Sequence, residues 1–302
     1  MSPVTESVVE EACLDWFRSL GYSTLYGPEI GPGGATQERT SWDQVVLTGR
    51  LREALGRINP DVPGSALDAA VTAVLRAESQ SVLAENARVH ELITKGVPVE
   101  YRDGDGAIRH TLAWLIDFED VERNDWLVVD QFSVQETGGK NRRPDVVVFV
   151  NGLPVGLIEL KHPGDEHATL KGAWNQIQTY RHDIGSLFLA NEVCVASDGV
   201  GAVMGSLTAG FEHFTPWKTI DGRELVTDRP QLEVLVKGVF DRARFLDIVR
   251  SFVVFSDEPD GLVKRVARYH QFWAVNAAVE STIEASGPTG DRRGGVVWHT
   301  QG

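Results

Sequence analysis

Glu159-Leu160-Lys161 closes an apolar run, and Asp145 precedes Glu159 by fourteen residues across an Asn151-Gly152 turn signal. Val146 to Val150 and Leu153 to Ile158 read as two strands of one hairpin. Side chains two apart on a strand share a face, so Glu159 and Lys161 project together. Glu159 emerges from an otherwise apolar strand, where an unpaired charge is expensive. Two converging carboxylates suit a hard divalent cation such as Mg²⁺, with Mn²⁺ as a substitute, because such an ion takes a few oxygen ligands and keeps several waters. A lysine beside them can orient a water or stabilise charge developing on a phosphate, which is the chemistry of phosphodiester hydrolysis.

The turn decides whether Asp145 joins the pair. A strict two-residue loop pairs Val150 with Leu153 and Asp145 with Ile158, which sends the aspartate to the wrong face. A three-residue loop pairs Asp145 with Leu157 and returns it to the face of Glu159, as does an equivalent bulge near Pro154. The site requires one of these two devices.

Pro144-Asp145 followed by Glu159-x-Lys161 resembles the PD-(D/E)xK nuclease motif. Gln176-Ile177-Gln178-Thr179-Tyr180 is similar to the Q-x-x-x-Y signature of the RecB-like and type I restriction branch. Residues 168–181 read as a helix, and a spacing of four puts Gln176 and Tyr180 on one face, where amide and phenol can contact DNA or buttress the metal site. Val296-Val297-Trp298-His299-Thr300-Gln301-Gly302 resembles the strand and first half of helicase motif I in type I restriction motor subunits, where the sequence runs on into Ser-Gly-Lys-Ser. Thr300, Gln301 and Gly302 would be the start of a phosphate loop. Without its lysine and hydroxyl this chain is expected not to hydrolyse ATP, which would be used only by a longer protein. Tyr269-His270-Gln271 is similar to the adenine-contacting region of such motors.

With Asn141-Arg142-Arg143, Ser197-Asp198-Gly199 and Pro216-Trp217, these motifs extend along the whole chain, which resembles the N-terminal part of a type I restriction endonuclease R subunit. The resemblance implies an α/β fold with a mixed central β-sheet flanked by helices, a restriction-endonuclease-like core. It implies a Mg²⁺-dependent DNA endonuclease acting on double-stranded DNA, in complex with modification and specificity subunits, after ATP-driven translocation. Asp145 and Glu159 would be metal ligands, Lys161 the catalytic cation, and Gln176, Tyr180, Arg142 and Arg143 DNA-binding or supporting residues. His162 departs from the family, where asparagine often follows the lysine.

The net charge of −14 opposes DNA binding if taken globally. Lys140, Arg142, Arg143, Lys161, His162, Lys171, Arg181 and His182 nevertheless gather in sequence around the motif, and a local basic groove on an acidic body is expected. Cys13 and Cys194 are the two cysteines, too few for a disulfide framework. No apolar run approaches the length of a membrane span, so a cytoplasmic protein without membrane contact is expected.

Residues 5–20 form an amphipathic helix carrying Glu6 and Glu10; Glu6 suits a helix start, and Glu10 is a candidate additional acid. A loop-like stretch over 21–49 precedes helices near 51–55, 66–75 and 82–92. Strands are expected at 97–102, 108–117, 126–134 and 194–199, with 202–207 as a companion, then helices at 231–236 and 240–252. The acidic turn 257–261 would separate an endonuclease domain, 1–256, from a helix over 262–285, a linker and a first motor strand, together 257–302. Two other functions share these motifs. A RecB-like repair or recombination nuclease would lack the terminal Thr300-Gln301-Gly302 strand, and a non-catalytic docking module would not cleave DNA.

Overall fold

The computed structural model describes residues 6–161 and 169–296. In chain order the elements begin with α1 (Glu6–Ser19), β1 (Ser23–Tyr26), α2 (Gly27–Ile30), α3 (Thr48–Ile58), α4 (Gly64–Leu75), α5 (Val82–Lys95), β2 (Val97–Arg102) and β3 (Ile108–Ala113). The middle of the chain supplies β4 (Trp126–Asp130), β5 (Val134–Gln135), β6 (Asn141–Arg142), β7 (Val146–Val150), β8 (Leu153–Leu160), α6 (Leu170–Asp183), β9 (Val193–Ser197) and β10 (Ala202–Gly205). The last elements are α7 (Gln231–Val239), α8 (Arg242–Ser251), β11 (Val253–Glu258), β12 (Gly261–Val266) and α9 (Tyr269–Ser286).

A six-stranded sheet of order β1-β4-β7-β8-β9-β10 organises the described residues. β1 with β4 and β8 with β9 are parallel, and the other neighbours are antiparallel. Every residue of β7 and β8 is buried, so these strands show no alternation of apolar and polar positions; they are covered on both faces. One core packs Val146, Val148, Ile158 and Leu160 against α1, α7 and α8, with Cys13, Phe17, Val239, Phe240 and Phe245. The other packs Val147, Phe149 and Leu157 against Ala173, Ile177 and Tyr180 of α6. The expected mixed sheet flanked by helices is therefore present.

Several expected elements end elsewhere. The stretch 21–49 is not all loop, since β1 and α2 lie in it, and buried Arg39 pins the rest by donating to the carbonyls of Gln44, Trp42 and Ser133. The strand expected to reach Val134 stops at Asp130, because Gln131 takes a left-handed backbone conformation, φ 54°. The two helices expected at 231–236 and 240–252 are present with shifted ends: α7 runs to Val239, and α8 starts at Arg242, where Asp241 caps it by accepting from Arg244 N–H. No helix runs from Leu262, because Leu262 to Val266 pair with β11 after the Gly261 turn, φ 118°. Position 256 thus lies within β11, and the hairpin is fastened to α5 and to the start of β9 by Lys264 of β12, which donates to Glu192 Oε2 at 2.7 Å and Asn86 Oδ1 at 2.9 Å.

Candidate active site

Asn151 and Gly152 both have positive φ, 53° and 77°, so the hairpin closes in two residues, with Val150 opposite Leu153. The three-residue loop does not occur. Instead Phe149 faces Pro154 while Val148 faces Gly156, leaving Val155 as an extra residue. This is the bulge expected near Pro154, and it shifts the pairing so that Val146 faces Ile158. One step further along that register, Asp145 stands across from Glu159. The two acids share a face because of one unpaired valine, whose carbonyl is met by Glu192 N–H at 2.7 Å.

Asp145 Oδ2 accepts from Leu160 N–H at 2.7 Å, which locks the aspartate to the strand end. Glu159 is 2% exposed, and its Oε1 accepts from Lys161 Nζ at 2.6 Å. Its Oε2 is buried with no hydrogen-bond partner. Burial raises the Glu159 pKa above the ordinary carboxylate value; the Lys161 charge opposes that shift without cancelling it, and Tyr180 and Asp145 lie near enough to act in the same direction as Lys161. Neither meets Oε2 with hydrogen-bond geometry.

Thr169 caps α6 by accepting from Gly172 N–H, and the helix turns Tyr180 inward against this face of the sheet. The phenol donates to Arg143 O at 3.4 Å. Burial pushes its pKa up, the Glu159 and Asp145 carboxylates add to the rise, and Gln176 one turn earlier opposes it. Tyr180 thus packs on the face of the sheet from which Glu159 projects, with Gln176 one turn earlier on α6. Glu10 on α1 accepts through Oε1 from Gln131 Nε2 at 2.6 Å, and the backbone N–H of Gln131 donates to Asp145 O at 2.8 Å.

Other expected residues are placed differently. Arg142 forks onto Asp183 at the end of α6, with Nε 2.8 Å from Oδ2, so it braces the helix; Arg181 turns onto the Leu207 carbonyl at 2.7 Å. Arg143, Lys140 and Lys171 are exposed. Thr300, Gln301, Gly302 and His162 lie outside the described residues, and so does the side chain of Glu6. Gln131 and Asp183 carried no sequence signal, because one follows a strand and the other ends a helix in ordinary surroundings. Among the described residues no group of three or more His, Cys, Asp and Glu side chains could hold a metal ion. Asp145 and Glu159 are the candidate ligand pair, and an ion that keeps its waters asks little more of the protein. The orphaned Glu159 oxygen fits such a cation, since an ionised oxygen buried without a partner is otherwise unfavourable.

Residues 3–213 match the family described as Type I restriction enzyme R protein N terminus. The chain belongs to this family. It is 38% identical over 99% of its length to the type I restriction enzyme HindI endonuclease subunit of Haemophilus influenzae. It is 30% identical over 98% of its length to the putative type I restriction enzyme MjaIXP endonuclease subunit of Methanocaldococcus jannaschii. A shorter match, 27% identical over 62% of the chain, is to the putative MjaVIIIP endonuclease subunit of the latter organism. The chain spans 29% and 30% of the length of the first two relatives. Among the described residues no helix is long and apolar enough to cross a membrane.

Proposed function

We propose that this chain carries the metal-dependent nuclease site of a type I restriction R subunit. The full-length protein, assembled with modification and specificity subunits, would hydrolyse double-stranded DNA after ATP-driven translocation. The observation that carries the reading is Glu159: a buried carboxylate with one oxygen on Lys161, the other unpartnered, and Asp145 across the hairpin. Asp145 and Glu159 would hold Mg²⁺, or Mn²⁺ in its place, which when bound polarises the phosphate and acidifies a water. Lys161, its side chain 30% exposed at the rim, presents its charge to incoming phosphate while Glu159 fixes its position. Tyr180 and Gln176 close the apolar side and keep the carboxylates out of bulk water. Exposed Arg143, Lys140 and Lys171 offer phosphate contacts that carry no sequence information.

The relatives named above are endonuclease subunits of type I restriction enzymes, which supports this reading over a RecB-like repair nuclease. The test is duplex cleavage by the full-length complex with Mg²⁺ or Mn²⁺, comparing wild type, Glu159→Ala and Lys161→Ala. Both variants are expected to lose cleavage while DNA binding persists. Equal cleavage by all three proteins would remove the site assignment and leave a docking module.

A further inference from the structure

The bulged pairing of β7 with β8 competes with the strict one, in which no residue is left over and Asp145 falls opposite Ile158. The bulge has its own cost: Val155 leaves the β7–β8 ladder in a strand buried throughout, and a buried carbonyl without a donor is unfavourable. Glu192 N–H removes that cost by meeting Val155 O at 2.7 Å. The peptide that supplies this N–H is held from its other end as well. Its carbonyl, Asn191 O, accepts from Lys264 Nζ at 2.6 Å and from Asn86 Nδ2 at 2.8 Å. Lys264 Nζ also donates to Glu192 Oε2 at 2.7 Å, so one buried ammonium grips the residues on both sides of a single peptide bond. A cation on the carbonyl polarises the amide and strengthens its N–H as a donor, which reinforces the bond to Val155. β12 has a further attachment that does not use the ammonium: Ser206 Oγ and Thr208 Oγ1 donate to Lys264 O at 2.6 and 2.9 Å, and Lys264 N–H donates to Thr208 Oγ1 at 3.1 Å.

We propose that Lys264 is a positioning residue of the nuclease site: its ammonium fixes the peptide between Asn191 and Glu192, that peptide's N–H holds the Val155 carbonyl, and the bulge so held keeps Asp145 across from Glu159. This rests on the nuclease reading above. Lys264 touches no reacting atom; groups that orient metal ligands from behind typically govern metal affinity by roughly 10- to 100-fold.

The experiment is Mn²⁺ binding to this chain by calorimetry, with thermal unfolding and hydrogen exchange of the residue 192 amide measured alongside. Lys264→Met with Glu192→Leu removes the grip and replaces the buried pair by apolar side chains, an exchange that is often neutral for stability. The double variant is expected to unfold close to the wild-type temperature, to exchange the residue 192 amide faster, and to bind Mn²⁺ roughly 10-fold more weakly. Glu192→Gln leaves Lys264 on the Asn191 carbonyl and is expected to bind Mn²⁺ as the wild type does. The wild type supplies a second measurement that needs no variant, because coupling between two sites is reciprocal. Saturating Mn²⁺ is expected to slow exchange of the Glu192 amide by the factor that the double variant loses in affinity, and to slow it more than the amide of Leu47, which meets Gly152 O at the turn end of the same hairpin. Wild-type affinity in a folded double variant, a Glu192→Gln variant as weak as the double one, or a Glu192 amide slowed no more than that of Leu47 would overturn the positioning role. If Glu159→Ala abolishes Mn²⁺ binding alongside any of these outcomes, the metal site stands without Lys264. A wild type that binds no Mn²⁺ would overturn both.

Discussion

Glu159 and Glu192 are each buried beside a lysine, Lys161 and Lys264, yet the two pairs are completed differently. Lys264 is 1% exposed and gives all its donors away, to Glu192 Oε2 at 2.7 Å, Asn86 Oδ1 at 2.9 Å and Asn191 O at 2.6 Å. His90 Nδ1 lies 3.1 Å from Oε1 of the same glutamate, so both carboxylate oxygens are met. Burial alone would raise the Glu192 pKa, but the Lys264 charge and the His90 contact outweigh it, and the pKa is lowered. Around Glu159 the balance runs the other way: one oxygen is unmet, the lysine is partly in solvent, and the pKa is raised. A completed network is what a fold needs to join β12 to its core; an uncompleted one is what a binding site needs for a cation still to come.

Breaking the completed pair has the largest expected effect. Lys264→Met leaves Glu192 buried without its cation and should cost about 3–5 kcal/mol in denaturant unfolding, whereas Lys264→Met with Glu192→Leu recovers most of that loss. A single-variant loss under about 1 kcal/mol would mean that the pair does not fasten the hairpin. Lys161→Ala tests the other pair, with the signature reversed. Cleavage by the full-length complex should fall roughly 10²–10³-fold, the range for removing one donor that stabilises transition-state charge. Stability should change by no more than about 1 kcal/mol, the typical worth of a partly exposed pair, because the stranded Glu159 can take up a proton. Large destabilisation with cleavage intact would make Lys161 structural.

The comparison also explains what the sequence could and could not reveal. Glu159-Leu160-Lys161 was legible because a charge ending an apolar strand is out of place there, and its neighbours Asp145, Gln176 and Tyr180 lie within the same stretch of chain. The face of Asp145 was legible only as a requirement. The bulge near Pro154 that satisfies it leaves Val155 unpaired with its carbonyl met by Glu192 N–H, a partner that only the packed fold supplies. Glu192 with Lys264 was invisible, since seventy-two residues separate the partners and each sits among ordinary neighbours. The same blindness made Leu262 to Val266 read as the start of a helix: only the buried lysine, drawn onto Glu192, reveals why that segment runs as a strand. Arg142 misled for the opposite reason, because a basic residue beside a nuclease motif suggests phosphate, and its partner Asp183 declared itself only when α6 folded back.

Acid titration separates the pairs by the sign of their slopes. The folded pKa of Glu192 is lowered, so its contribution is fully present above the ordinary glutamate value of about 4.3 and is lost as pH falls through the lowered folded value. Unfolding measured between neutral and acid pH should steepen in that window, and Glu192→Gln should flatten it. The effect is expected to be smaller than that of Lys264→Met, because other carboxylates protonate in the same range. An unchanged slope in Glu192→Gln would mean that the network carries no net charge linkage.

The smallest expected effect bears most directly on the difference between the pairs. Because the folded pKa of Glu159 is raised, its favourable contribution is present below the ordinary glutamate value and is lost as pH rises through the raised one, and the metal-free protein holds a buried carboxyl oxygen with nothing to meet it. Glu159→Gln keeps the shape and removes the charge; it should stabilise the metal-free chain by about 0.5–2 kcal/mol while abolishing cleavage, the trade expected where function holds a strained group in place. Adding Mn²⁺ should raise the unfolding temperature of the wild type, since a ligand of the folded state alone stabilises it by mass action, and should leave Glu159→Gln unmoved. A glutamine variant less stable than wild type without metal would place Glu159 with Glu192, as a carboxylate whose partners are already supplied by the fold.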